Sequence, residues 1–210
     1  MSRTQIFDVT HIRPAELSAA AQAVAAGAVA VVPTDTVYGL AAGAQSEAGI
    51  GKIYALKNRP VRQPLQLLAA DINKARQIAV FPPAGELLAQ AYWPGGLTLI
   101  LPPTEAGQPL LHGAAGLGIR VPDSVFLRAF LAAAGGVVAC TSANLHGEEV
   151  LTTEKDLVKL FDGQVDFIFK GGTLRAQASS VVDLTGAPRL LREGVLSKTR
   201  LEKTVGTPLL

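Results

Sequence analysis

Cysteine occurs once in this chain, at Cys140. That excludes an intramolecular disulfide and any cysteine-based metal cluster, and it makes a reducing cytoplasm the expected compartment. Histidine is nearly as scarce: His11, His112 and His146 stand far apart, with none of the short spacings that ligate zinc, and read as surface residues. No apolar run approaches a membrane span, and Ser2, Arg3, Thr4 and Gln5 open the chain without the apolar stretch of a secretory signal, so a soluble, unprocessed protein is expected. Charge of either sign is not in excess. Nineteen Lys and Arg against 17 Asp and Glu leave a net charge of +2, too small to imply a nucleic-acid partner by itself, so any basic patch must be local. The familiar signatures are missing too: no GxxxxGK[ST], no GxGxxG after a strand, no GxSxG and no HExxH. Aromatics make up only 5% of a chain that is 49% hydrophobic, so the core must be built from Ala, Val, Leu and Ile, as in layered helices and sheet.

What the chain does have is a pair of apolar strands that end in short polar side chains. Val29 to Leu40 begins as a β-branched run and turns at Pro33 into Thr34, Asp35 and Thr36, followed by Tyr38 and Gly39. Val137 to Cys140 repeats the pattern and ends in Thr141, Ser142, Ala143 and Asn144. In open α/β sheets ligands collect beyond the carboxyl ends of strands. The first stretch taken alone is equally compatible with an idle hydroxyl turn.

Around these two stretches, strands and helices alternate. Helices are expected over Pro14–Gly27, Ser46–Lys57, Asp71–Ala79, Ala84–Tyr92 and Ser124–Ala134, with a last one starting at Thr153 and running to about Phe161. Strands are expected at Pro64–Leu68, Leu97–Leu101, Ile119–Val121, Phe167–Phe169, Val181–Val182 and Arg189–Arg192. Pro102 to Gly118 reads as a surface loop. The strands crowd together in the second half, which argues for an α/β single domain with a twisted mixed sheet flanked by helices. A domain over residues 1–197 is expected, with 198–210 as a tail.

Hydroxyls and cations gather at the strand ends. Thr34, Thr36, Thr98, Thr141, Ser142, Asn144, Ser179 and Ser180 lie there, and Lys57, Arg59, Arg120 and Arg192 flank them. Guanidinium groups clamp phosphate oxygens in pairs, a lysine adds a point charge, and hydroxyls complete the shell, so a polyanion such as a nucleotide is the simplest ligand. Lys57 and Arg59 sit at a helix-to-loop exit before Pro60, where exposed cations are expected. Arg120 alternates with apolar neighbours and should be exposed or paired.

These stretches, in order, resemble the YrdC/TsaC family of threonylcarbamoyl-AMP synthases. The resemblance rests on Pro33-Thr34-Asp35-Thr36-Val37-Tyr38-Gly39-Leu40, Lys57-Asn58-Arg59-Pro60 with Pro64-Leu65, and Trp93-Pro94-Gly95-Gly96-Leu97-Thr98. It continues through Ile119-Arg120-Val121-Pro122, Thr141-Ser142-Ala143-Asn144, Gly171-Gly172, Ser179-Ser180 and Leu191-Arg192-Glu193-Gly194. It implies a YrdC-like fold and a nucleotidyltransferase that condenses L-threonine, bicarbonate and ATP, with Mg²⁺ on the phosphates, to threonylcarbamoyl-AMP and pyrophosphate. The product would pass to a tRNA threonylcarbamoyl transferase complex for the threonylcarbamoyladenosine modification. By position, Lys57 and Arg59 match the catalytic phosphate-holding pair, and Thr98, Ser142, Asn144 and Arg192 the other ATP contacts. Thr34, Thr36, Tyr38, Arg120, Thr141 and Ser179 match the surroundings of threonine.

Three residues depart from the family pattern. Leu68 stands where longer members carry a threonine-contacting His, Val150 replaces a polar nucleotide contact, and Gly96 replaces a common Pro. The resemblance leaves two other readings: a module binding double-stranded RNA or tRNA weakly, and a relative that handles carbamoyl-AMP.

Overall fold

The computed structural model describes residues 3–58, 64–145, 148–174 and 177–210. Most helices begin where a short side chain can accept a hydrogen bond from an otherwise orphaned backbone N–H. Ser46 caps α2 (Glu47–Lys57), Asp71 caps α3 (Ile72–Ile78), Ser124 caps α5 (Val125–Ala133) and Thr153 caps α6 (Glu154–Phe161). Two others, α1 (Pro14–Ala25) and α4 (Pro83–Tyr92), start on proline, whose missing N–H costs nothing there. At its far end α2 stops at Asn58, which adopts the left-handed conformation at φ 48°.

Ten strands form one mixed sheet: β1 (Gln5–Asp8), β2 (Ala30–Val32), β3 (Gly39–Gly43), β4 (Gln66–Ala69), β5 (Leu97–Leu101), β6 (Leu117–Arg120), β7 (Val137–Ser142), β8 (Phe167–Lys170), β9 (Ser180–Asp183) and β10 (Arg189–Arg192). Their order across the sheet is β1-β8-β2-β3-β7-β4-β6-β5-β9-β10. The mixed α/β single-domain expectation is therefore borne out. Two strands went unanticipated. β1 forms through parallel pairing with β8, far along the chain, and β3 is made of Gly and Ala with a single leucine, a composition with little strand preference.

The hairpin β2–β3 is antiparallel and β3 is antiparallel to β7, so β2 and β7 point the same way. Both strand-then-polar stretches therefore end at the same edge of the sheet, with Gly39 opposite Ser142. Topology, not sequence proximity, brings them together.

The side-chain alternation of the strands decides which face is covered. On one face, α1 and α5 pack over β8, β2, β3, β7 and β4 through Val24, Leu127, Phe130, Phe169, Val138 and Leu68. On the other, α3 and α4 cover the far half through Leu67, Leu97, Leu99, Leu101, Leu117 and Ile119, while α6 covers the near half through Leu157 and Phe161. Among the described residues, the core cluster of the first face includes none from β6, β5 or β9. Residues 198–210, expected to be a tail, contain α7 (Lys198–Val205), and Leu201 and Leu209 lie in the same core as β5 and β6.

Candidate active site

The uncovered part of that sheet face is the floor of a cleft of about 380 Å³. Alternate strand residues reach it: Cys140 and Ser142 from β7, Gln66 from β4, Gly118 and Arg120 from β6, Thr98 and Ile100 from β5, and Val181 from β9, with Thr141 at the end of β7 beside them. Their neighbours Leu67, Leu99, Leu117, Ile119 and Val182 point into the core behind. The segments Leu97-Thr98-Leu99-Ile100-Leu101 and Leu117-Gly118-Ile119-Arg120 thus encode a core face and a site face in one stretch.

At one end of the cleft the β2–β3 turn is folded by hydroxyls. Thr34 Oγ1 accepts from the backbone N–H groups of Thr36 and Val37 at 3.0 and 3.2 Å and donates to Val37 O at 2.7 Å. Its only proton is spent there, so Thr36 Oγ1, 3.0 Å away, must be the donor between the two threonines. Thr36 Oγ1 also accepts from Arg120 Nη1 at 2.8 Å. The remaining Arg120 nitrogens are engaged as well: Nε donates to Gly95 O at 2.9 Å and Nη2 is ion-paired with Asp35. Arg120 is buried and paired, one of the two outcomes expected for it, and its partner proves to be the carboxylate inside the turn itself. Tyr38 leaves the cleft altogether. Its hydroxyl donates to Gly172 O at 2.7 Å and accepts from Gly171 N at 2.9 Å, clamping the turn to the end of β8, and burial raises its pKa.

A chain of hydrogen bonds crosses the floor toward the other end. Gln66 Nε2 donates to Thr98 Oγ1 at 2.9 Å, Thr98 Oγ1 lies 2.8 Å from Ser179 Oγ, and Arg192 donates to Ser179 through Nε (3.0 Å, to the carbonyl) and Nη2 (3.1 Å, to the hydroxyl). Partial burial, and then the nearby positive charge of Arg120, lower the pKa of Arg192. Both guanidinium groups therefore face one space.

Lys57 does not. Only 2% exposed, it extends from the C-terminal turn of α2 into the Thr141–Asn144 turn, and its ammonium donates to Ser142 O at 2.6 Å, Asn144 O at 2.5 Å and Asn144 Oδ1 at 2.9 Å. Ser142 Oγ donates to the same Asn144 oxygen at 2.6 Å, and Asn144 Nδ2 to Glu148 O at 2.6 Å. The expected exposed cation is thus a buried one, because three acceptors of the turn converge on its three N–H groups. Arg59, its expected partner, lies outside the described residues, as does His146.

Of the expected site residues, Thr36, Thr98, Arg120, Thr141, Ser142, Ser179 and Arg192 line the cleft, while Thr34, Tyr38, Lys57 and Asn144 hold the loops that shape it. Among the departures, Leu68 faces the α1/α5 core, Val150 lines the cleft, and Gly96 is crowded, since a Cβ there would stand 2.3 Å from Val195 Cγ2. Gln66, Gly118 and Cys140 were not anticipated, although strand alternation alone aligns Gln66 and Gly118 with Arg120. The Cys140 thiol, pushed up to about 12 by burial against the smaller opposing influence of Arg120 and Lys57, is no nucleophile. Among the described residues no group of three His, Cys, Asp or Glu could hold a metal ion, and no helix is long and apolar enough to cross a membrane.

Comparison with known proteins places this architecture. The family model Sua5/YciO/YrdC, described as telomere recombination, matches residues 22–194. The chain is 33% identical over 184 residues, 86% of its length, to the threonylcarbamoyl-AMP synthase of Pyrococcus abyssi, and 34% identical over 207 residues, 96% of its length, to that of Bacillus subtilis. It spans 54% and 60% of the length of those two relatives. The crystal structure of P. abyssi Sua5 complexed with L-threonine superposes with a TM-score of 0.90 at 32% identity, covering 98% of this chain and 62% of that one. With the family model matching residues 22–194 and the whole fold superposing on a solved member, the chain belongs to the Sua5/YciO/YrdC family.

Proposed function

We propose that this chain is an L-threonylcarbamoyladenylate synthase, a nucleotidyltransferase that joins L-threonine, bicarbonate and ATP and releases pyrophosphate. The observation that carries the proposal is the convergence of Arg120 and Arg192 with Thr36, Thr98, Thr141, Ser142 and Ser179 on one open sheet face. Two guanidinium groups in one cleft suit two substrates that each carry an acidic group, a carboxylate and a phosphate.

In this reading the carboxylate of threonine lies against Arg120 and Thr36, and the nucleotide against Thr98, Ser142 and Arg192. The threonine ammonium loses a proton to solvent, bicarbonate gives carbon dioxide and water, and the free amine adds to that carbon and releases its second proton to form a carbamate. A carbamate oxygen then attacks the α-phosphorus, the bond to the β-phosphate bridging oxygen breaks, and pyrophosphate leaves with that electron pair. No enzyme nucleophile enters the sequence of bonds, which agrees with a neutral Cys140 thiol and hydroxyls already committed to neighbours. Catalysis is then positioning and charge stabilisation. Lys57 and Asn144 contribute by fixing the Ser142 turn, and Arg59 stays assigned to the phosphates by its place in the motif. Mg²⁺ would be held by ATP phosphate oxygens and waters, since no carboxylate among the described residues lines the cleft, and would offset charge on the phosphates.

The product is a labile mixed anhydride, so the reading includes a cytoplasmic transferase complex that passes its threonylcarbamoyl group to tRNA. Incubation with ATP, Mg²⁺, bicarbonate and either threonine or carbamoyl phosphate tests the proposal through the pyrophosphate formed. Release that needs threonine and bicarbonate supports it. Release with carbamoyl phosphate alone, or none with threonine, refutes it.

A further inference from the structure

Asp35 is the one acid among the described residues that is ion-paired to an arginine lining the cleft. The pair is well shielded from water, with the Arg120 side chain 4% exposed and that of Asp35 15% exposed. A guanidinium carries five N–H groups. Gly95 O, Thr36 Oγ1 and Asp35 each take one from Arg120, on Nε, Nη1 and Nη2 in turn. The two N–H groups left are on Nη1 and Nη2. Arg120, which lines the cleft, therefore keeps two unspent N–H groups, while its positive charge is already balanced by Asp35.

Arg192 is held in the opposite way. Its partners are the carbonyl and hydroxyl of Ser179, both neutral, and no acid among the described residues is ion-paired with it. The cleft thus contains two guanidinium groups of unequal net charge: a bare cation at one end and a neutral couple at the other. A polyanion seated on Arg120 would place its charge within a few ångströms of Asp35 in a part-buried site, where like charges repel far more strongly than in water. An amino acid brings an ammonium with its carboxylate and meets the couple as a neutral molecule on binding; the carbamate later formed on its nitrogen still carries less charge than a polyphosphate.

We propose that Asp35 is the residue that sorts the two substrates. By neutralising Arg120 it bars phosphate groups from the amino-acid end of the cleft and leaves Arg192 as the phosphate end. The naming of the two ends rests on the function proposed above; the charge asymmetry does not. Asp35 is a positioning and selectivity residue, since it acts through Arg120 and is not part of the cleft lining.

Pyrophosphate binding, measured by titration calorimetry without turnover, tests this. The wild-type chain should bind one equivalent, lost in Arg192→Gln. Asp35→Asn keeps a hydrogen-bonding side chain but removes the charge. It should bind pyrophosphate about tenfold more tightly or take a second equivalent, and the double variant Asp35→Asn/Arg120→Gln should return to the wild-type isotherm. Asp35→Ser serves as the second charge-removing variant, because loss of one partner of a buried pair can unfold a protein. A general charge effect of removing any nearby acid would persist in the double variant, whereas sorting through Arg120 would not. Unchanged or weaker binding in the folded variants overturns the proposal, and so does unfolding of both, which would make Asp35 a structural anchor. Should pyrophosphate binding respond as expected while no threonine-dependent release occurs, the reaction is wrong and the charge sorting stands.

Discussion

Lys57 shows how a motif residue can serve a site without facing it. Its three N–H groups are taken by acceptors of the Ser142–Asn144 turn, and the alkyl stem runs through the protein from the end of α2. Lys57→Met keeps much of the stem but leaves those acceptors without their charged donor, at a cost of about 2–4 kcal/mol in unfolding free energy. Urea denaturation measures it, and an unchanged midpoint would return Lys57 to the role of a free cation. Cys140 gives a second residue-scale prediction. Because the fold raises its pKa from 9.0 to about 12, the folded chain holds the thiol proton where the unfolded chain has lost it. Its contribution to stability is complete below pH 9 and falls as pH rises through that window. Native protein at pH 8 should therefore react with iodoacetamide far more slowly than protein unfolded in urea. Equal rates would mean that the thiol is open to the cleft and ionised.

At the scale of elements, the two short segments β5 and β6 each turn two residues to the cleft, Thr98 and Ile100, and Gly118 and Arg120. Gly118 matters for what it omits: a Cβ there would stand 3.8 Å from Thr98 Cγ2 and 3.9 Å from Ile100 Cγ1, ordinary contact, so the backbone does not demand glycine. Gly118→Leu should accordingly fold normally and fill the floor of the cleft. The KM for ATP or threonine should rise at least about tenfold, the loss of a 1.4 kcal/mol contact, with the thermal midpoint nearly unchanged; an unaltered KM would place the substrates elsewhere. The alternation that puts Arg120 and Thr98 on the site face was legible in the sequence, as were the capped helices and the strands with branched or leucine-rich interiors. The hairpin strand β3 was not, because Gly39-Leu40-Ala41-Ala42-Gly43 lies in the sheet through its neighbours β2 and β7, not through its own preference. The motifs named the site residues but not their partners. Nothing in Lys57-Asn58-Arg59 says that the ammonium will meet carbonyls near residue 144, and the adjacency of Asp35 to Thr36 hides that its carboxylate turns to β6. At Gly96 the sequence likewise hides the reason for glycine: a Cβ would meet Val195, a neighbour in space but distant in sequence.

For the whole molecule, the segment 198–210 is the part the sequence conveyed least. Lys198–Val205 is mostly polar, with Leu201 as its one buried residue, so the sequence offers a single apolar anchor there and no stripe. Packing supplies what periodicity lacks. Leu201 and Leu209 are 0% and 2% exposed, Tyr92 of α4 reaches Thr204 Oγ1 at 2.7 Å, and the Arg200 guanidinium lies 5.2 Å from the Tyr92 ring centre. The end of the chain then returns to the sheet edge: Leu190 N donates to Leu210 O at 2.9 Å and Leu210 N to Pro188 O at 3.1 Å, bracing β10 two residues from Arg192. Deleting residues 198–210 exposes the sites of two buried leucines and should lower the unfolding free energy by about 3–6 kcal/mol. It should also weaken pyrophosphate binding in whatever protein remains folded, because the strand that carries Arg192 loses its brace. Leu209→Ala separates the two effects: it removes apolar burial, about 2–5 kcal/mol, but keeps the backbone bonds to β10, so stability should fall while pyrophosphate affinity holds. If truncation left the urea midpoint where it was, residues 198–210 would be a tail after all, and the domain would end near residue 197.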